Sequence, residues 1–173
     1  MEADSTEIEV LGLLSQAERI RGKTRFQKLL YFLQEGERVP LGLNFRMHHY
    51  GPYSPDLETY LQRLEVRNLV EVDDTCVDGP VFIDVTDAGR RVGDQATSQD
   101  KVTRVLERLE TKWPKQLELL ATVHYLAGAT GYDASQESTA RLLQAVKVWK
   151  QDRFNAREIQ SALGELTELE YLP

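Results

Sequence analysis

One pair of adjacent strand-like segments stands out in a chain whose apolar residues mostly recur at helical spacing. Residues 69–74 (LVEVDD) and 80–86 (PVFIDVT) are rich in β-branched residues and flank the turn-forming TCVDG, a pattern that predicts a β-hairpin. Elsewhere, segments such as residues 25–35 (RFQKLLYFLQE) place leucines and aromatic residues on a single helical stripe. A chain with one hairpin among many amphipathic helices is predicted to be mainly α, of the α+β class.

The order of elements in the first half is typical of a winged helix-turn-helix. A first helix is predicted before Gly22, and Thr24 with Gln27 has the spacing of a capping box for a second helix. The pattern of the second helix leaves Arg25 and Lys28 on its outer face. A third helix follows residues 54–56 (SPD), and the hairpin then supplies the wing. We therefore predict a winged-helix-like unit over residues 1–93.

The second half, residues 94–173, is predicted to be an all-helical unit packed on the first. The segment PKQLELLATVHYLAGA is apolar on most sides and indicates a central helix, and Asn155 with Glu158 predicts a capping box for the last one. Trp113 stands at helical spacing with the apolar residues before it, and Trp149 shares a helical face with Leu142, Leu143 and Val146.

The stretch MHHYGPYSPDL, residues 47–57, carries histidine, tyrosine, serine and aspartate close together. The segment LNFRMHHY, residues 43–50, alternates and predicts a short strand, so His48 and His49 would point to opposite faces and not share one metal. The remaining histidine, His124, lies in the most apolar helix, and Cys76 lies in the predicted wing. We therefore predict no metal site, and interpret the stretch as a corner in which Gly51 and the following proline turn the chain.

Catalytic motifs are missing from the sequence. RGKT, residues 21–24, resembles the end of a phosphate-binding loop, but Ala17 stands where that motif has its first glycine. The serine at position 54 is better explained as a helix cap than as a nucleophile. The sequence therefore predicts no cofactor, no catalytic residue and no enzyme activity.

Charge is distributed unevenly along the chain. The net charge is −7, yet residues 15–50 carry seven Lys and Arg against three Asp and Glu. The predicted wing carries Asp73, Asp74 and Asp78 where a DNA-binding wing usually presents cations to phosphates. A DNA-binding regulator, which would act as a homodimer, is thus the alternative and is disfavoured by this charge. A partner protein is favoured instead.

Arginines and tyrosines cluster in the predicted second and third helices and at the corner. Both residue types are enriched in interface hot spots. We therefore predict a partner-binding surface with an adjoining strand edge, formed by Arg25, Lys28, His48, Tyr50, Tyr53, Tyr60, Arg63 and Arg67. The chain has one cysteine and no long apolar run, so no membrane contact is expected and a cytoplasmic location is predicted.

The segments GKTRFQKLLYFLQE and FRMHHYGPYSPDL resemble the YwgA-type proteins of bacteria and archaea. More distantly they are similar to the SocA/Panacea antitoxin-like domains, and LELLATVHYL with FNAREIQSALGELTELEYL extends the resemblance over most of the chain. YwgA-type proteins supply no catalytic residues, and the antitoxin-like relatives imply binding to partner proteins. Together these expectations predict a non-catalytic regulatory or protein-binding module with an antitoxin-like role.

Overall fold

The computed structural model describes residues 3–75 and 77–173 and shows a mainly α protein of the α+β class. This confirms the predicted fold class, while the winged-helix arrangement stays a prediction. The chain divides into two compact units. The first contains the chain up to Phe45 together with Ser54–Thr111, and the second contains Arg46–Tyr53 and Lys112–Pro173. This division differs from the predicted boundary after residue 93.

The first unit combines five helices with a three-stranded antiparallel sheet among the described residues. Its sheet has the strand order β1 (Arg19–Arg21), β5 (Phe82–Val85), β4 (Val70–Asp73), with Ile20 opposite Ile83 and Ile83 opposite Val72. In chain order its elements are α1 (Ser5–Ala17), β1 (Arg19–Arg21), α2 (Lys23–Tyr31), α3 (Pro55–Val66), β4 (Val70–Asp73), β5 (Phe82–Val85), α4 (Asp87–Gly93) and α5 (Gln99–Leu109). A π-helical turn, Phe32–Gly36, extends α2.

The core of the first unit forms where α1 packs against α4, α5 and β5. The leucines of α1 and α2 that the helical stripes predicted are buried, as is Phe26. Cys76, which the sequence places in the wing, lies outside the described residues.

Two predicted caps in the first unit need correction. α2 begins at Lys23 behind Gly22, so Thr24 and Gln27 do not form a capping box. The amide of Gln27 instead pairs with the backbone of Ser54, donating to its carbonyl at 2.9 Å and accepting from its N–H at 3.0 Å. Ser54 does precede α3, as predicted, but its hydroxyl does not cap the helix and donates to Asp56 at 3.4 Å.

The second unit packs three helices with a small hairpin. Helix α6 contacts α7, α8 and the hairpin strand β3. Its elements are β2 (Arg46–His48), β3 (Gly51–Tyr53), α6 (Pro114–Thr130), α7 (Gln136–Lys150), a 3-10 turn (Gln151–Arg153) and α8 (Ala156–Glu168). Asn155 and Glu158 form the predicted capping box at the start of α8. No described helix has the length and apolarity needed to cross a membrane.

The predicted corner is in fact a tight hairpin. Gly51 and Pro52 do not turn the chain, because they belong to β3 and lie opposite His48 and Met47. The two-residue turn is formed by His49 and Tyr50. Gly51 has a φ of 86°, a left-handed conformation that favours glycine and that a side chain would strain.

Candidate functional site

The residues predicted to form one partner-binding surface are divided between the two units. Arg25, Lys28, Tyr60, Arg63 and Arg67 belong to the first unit. His48, Tyr50 and Tyr53 belong to the hairpin of the second unit.

In the first unit, Arg63 and Arg67 both bind the buried carboxylate of Glu7. Each guanidinium donates to it at 2.7 Å, and Arg63 also lies 5.1 Å from the centroid of the Tyr60 ring. The charge of Glu7, more than any other contact, raises the pKa of Arg63. The predicted grouping of Tyr60 with the two arginines is present, but an internal carboxylate already neutralises much of their charge.

Lys28 and Arg25 differ in their exposure. Lys28 is only 2% exposed, so the prediction that it lies on the outer face of its helix is wrong. The physical reason is that α2 packs against both β1 and α5, which covers more than the leucine stripe. Arg25 donates to the carbonyl of Glu110, and burial lowers its pKa.

The hairpin of the second unit exposes a set of aromatic rings. The rings of His48 and Tyr53 lie 5.5 Å apart, and those of His49 and Tyr50 lie 4.8 Å apart. Tyr50 is 51% exposed. These side chains present flat surfaces of the kind on which other planar groups stack.

A buried ion cluster fixes this hairpin to the helices. Glu118 in α6 accepts from Lys150 at 2.7 Å and from Arg153 at 2.8 Å and 2.7 Å. Lys150 also donates to the carbonyl of His49 at 2.7 Å. Arg153 lies 5.5 Å from the Tyr50 ring centroid. The cluster therefore holds the aromatic turn in one position and places a cation against it.

Beside this cluster, a groove of about 580 Å³ runs between α6 and α8. Phe154 forms part of its floor, with Lys115 5.2 Å and Arg153 5.7 Å from its ring centroid. Trp113, 73% exposed, stands at the rim. Arg157, Glu158 and Glu165 also line the groove. A cleft with an aromatic rim, cations and carboxylates is suited to a nucleotide, whose base stacks and whose phosphates bind cations.

Sequence reasoning missed most of these residues. Trp113 was predicted to continue the helix before Pro114, but α5 ends at Leu109 and the tryptophan is the N-cap of α6. Trp149, on α7, is 52% exposed. The Trp-Pro pair was an available signal for a helix start.

Metal ligands and histidines add little to this site. The part of the chain described by the structure contains no group of three or more His, Cys, Asp or Glu that could hold a metal ion. His124 is half-buried, and its ring lies 6.3 Å from that of Tyr171 in an edge-on arrangement.

The two units differ in charge. The second unit has eight Lys and Arg and eight Asp and Glu, whereas the first has thirteen and twenty. The whole net charge of −7 therefore belongs to the first unit. The acidic charge that disfavours DNA at the predicted wing therefore does not extend to the groove or the hairpin.

No family model matches the chain. The chain is similar to a DNA ADP-ribosyl glycohydrolase from Thermus aquaticus, with 27% identity over 165 residues that cover 92% of this chain. The matched region is 44% of that relative, so the chain spans less than half its length. The resemblance to YwgA-type proteins, the partner protein and the homodimer stay predictions.

This similarity corrects the function inferred from the sequence. A relative that matches nearly the whole chain is named for a hydrolytic activity. The prediction of a non-catalytic regulatory, protein-binding or antitoxin-like module is therefore wrong, as is the prediction that the protein is not an enzyme. The alternative prediction, a DNA-binding transcriptional regulator, is wrong for the same reason, because it is also non-catalytic. The reason for the error is that the sequence contains no standard catalytic motif that would indicate an enzyme.

Proposed function

We propose that this chain acts in DNA ADP-ribosyl glycohydrolysis, as part of an enzyme that releases ADP-ribose from DNA. The observation that carries the proposal is the similarity over 92% of the chain to a protein named for that activity. The relative is more than twice as long as the matched region. A cytoplasmic location is proposed with it, since DNA is the substrate.

The groove between α6 and α8 is the proposed place for the ADP-ribosyl group. Trp113 offers an exposed ring for the adenine, and Lys115 and Arg157 offer cations for the pyrophosphate. Both the volume of the groove and its mixture of aromatic and charged walls support a ligand of this size and chemistry.

The reaction requires water to attack the anomeric carbon while the bond from that carbon to DNA breaks. The oxygen of the water stays on the ribose, and the departing atom of the DNA gains a proton. Carboxylates commonly activate the water and stabilise the positive charge that develops on the sugar. Glu158 and Glu165 are the groove carboxylates, and of these Glu158 also serves the capping box of α8. Glu165, which is paired with Lys112, is the proposed catalytic carboxylate.

In the test, the chain is incubated with an ADP-ribosylated DNA oligonucleotide and free ADP-ribose is measured, with the Thermus aquaticus protein as the positive control. We expect release by the chain, at least a hundredfold slower release by Glu165→Gln, and weaker binding of ADP-ribose by Trp113→Ala. Glu168→Gln, on the same helix but outside the groove, is the matched control.

Calorimetry with free ADP-ribose separates binding from hydrolysis. A chain that binds ADP-ribose in the groove but releases none from DNA would overturn the catalytic role of Glu165. A chain that neither binds nor releases ADP-ribose would overturn the proposed function.

A further inference from the structure

We propose that the hairpin Arg46–Tyr53 binds single-stranded DNA by stacking unpaired bases on its aromatic side chains. The inference rests on the proposed function, since it names how the DNA portion of the substrate is held. It concerns the hairpin alone, which lies outside the residues that line the groove.

The hairpin presents its rings in an order suited to successive bases. The side chains of Arg46 and His48 lie on the same face of β2, because residues two apart in a strand share a face. Tyr53 lies opposite Arg46 across the hairpin. The exposed His49 and Tyr50 form the turn next to them. Aromatic side chains in a row bind single strands with little sequence preference, because every base has a flat face.

The turn is held rigid before any ligand arrives. Lys150 donates to the His49 carbonyl and is fixed by Glu118, and Arg153 is fixed by the same carboxylate. Arg153 lies 5.5 Å from the Tyr50 ring centroid and 37% of its side chain is exposed. Because these contacts already order the turn, a bound base would not have to immobilise it.

Charge also favours a polyanion at this place. The buried cluster contains two cations and one carboxylate, which leaves a net positive charge beside Tyr50. Arg46 adds an exposed cation on the hairpin. The acidic residues of the predicted wing, Asp73, Asp74 and Asp78, belong to the first unit. On the second unit, Asp152 is an exposed carboxylate next to Arg153 in sequence and reduces the positive charge there.

The experiment measures fluorescence anisotropy of a labelled oligothymidylate of about 12 nucleotides, a length within the usual site sizes of single-strand binders. We expect Tyr50→Ala to weaken binding about tenfold, in line with the loss of one stacked base. Two phosphate contacts would make log K fall with log salt at a slope of about −1.4, and Arg46→Ala would reduce that slope by about 0.7. Asp152→Asn is expected to strengthen binding.

Tyr60→Ala is the matched control. Tyr60 also has an arginine against its ring, at 5.1 Å, but it lies in the acidic first unit. We expect this variant to bind like the parent chain. Circular dichroism and the melting temperature verify that Tyr50→Ala, a change at an exposed turn, remains folded.

Three results would overturn the inference: no binding of the oligonucleotide by the parent chain, equal loss in Tyr50→Ala and Tyr60→Ala, or preference for duplex DNA. Each is distinguishable from failure of the proposed function, because ADP-ribose binding to the groove and its release are measured separately. Loss of oligonucleotide binding in Tyr50→Ala, with free ADP-ribose still bound at the parent affinity, supports the assignment.

Discussion

Lys150 and Glu118 form a 2.7 Å ion pair in which each side chain is only 2% exposed. Burial acts to raise the pKa of Glu118, but hydrogen bonds from Arg153 and Lys150 with their positive charges outweigh it, so the pKa is lowered. Burial lowers the pKa of Lys150 against the opposing effect of Glu118. Arg153, as a second cation, therefore keeps the carboxylate of Glu118 ionised inside the second unit.

Removing one partner of this ion pair should destabilise the fold more than replacing both partners with apolar residues. We expect Glu118→Gln to lower the free energy of unfolding by about 3 kcal/mol, because it leaves the buried Lys150 without its counterion. Lys150→Met should have a smaller effect, because Arg153 still pairs with Glu118. The double variant Glu118→Leu/Lys150→Met should recover at least half of that loss. Urea unfolding measures all three. As a control, Glu137→Gln removes the exposed pair with Arg141 and should cost about 0.5 kcal/mol or less. Additive losses in the double variant would contradict the prediction.

The backbone N–H of Ser54 depends on a single buried side chain. Gln27 accepts from that N–H and donates to the Ser54 carbonyl, which also accepts from the N–H of Leu57 at 3.3 Å. Gln27→Met should therefore leave one buried donor unpaired and lower the free energy of unfolding by about 1 to 3 kcal/mol. Thermal and urea unfolding measure this loss. Gln144→Met, on the exposed face of α7, is the control and should change little. An unchanged melting temperature for Gln27→Met would show that the backbone of Ser54 finds other partners.

The turn before α7 should weaken in acid. Hydrogen bonds from Ser135 and Ser138 lower the pKa of Asp133 from its ordinary value of 3.8 to about 2. Since the folded pKa lies below the unfolded one, the stabilisation is present above about pH 4 and is lost as the pH falls toward 2. A carboxyl NMR titration should give the lowered pKa directly. Ser135→Ala should return it toward 3.8, whereas an unshifted pKa in the parent chain would refute the effect.

Amphipathic helices were the part of the fold that sequence reasoning could predict. The apolar pattern of α6 and the capping box at Asn155 depend on neighbours in sequence, and both are present in the structure. β1 was not predicted, because Arg19–Arg21 is too short for an alternating pattern and is defined by its pairing with β5.

The candidate site was harder to predict, since it depends on contacts between distant residues. Nothing near Glu118 in sequence indicates that Lys150 and Arg153 will reach it, 32 and 35 residues away. A polar residue in the most apolar helix was the one available signal, because buried charges require partners. The same lack of information about tertiary packing led to Lys28 being placed on an exposed face.

Two glycines mark places where neighbouring elements approach too closely for a side chain. A Cβ added at Gly89 would lie 2.0 Å from the carbonyl oxygen of Leu69, and one at Gly93 would lie 2.7 Å from that of Leu11. Backbone atoms at these positions cannot move without separating packed elements. We therefore expect Gly89→Ala to lower the free energy of unfolding by about 3 kcal/mol and Gly93→Ala by about 2 kcal/mol.

Gly164 in α8 provides the matched control, because a Cβ there meets nothing within 4 Å. Gly164→Ala should raise the free energy of unfolding by about 0.5 to 1 kcal/mol, since alanine is the better helix former. Urea unfolding of the three variants measures the expected decreases and the expected increase in the free energy of unfolding in one series. Stabilisation by all three substitutions would show that α4 has room beside α1 and the sheet, and destabilisation by Gly164→Ala would show that α8 is covered on the face that the structure leaves exposed.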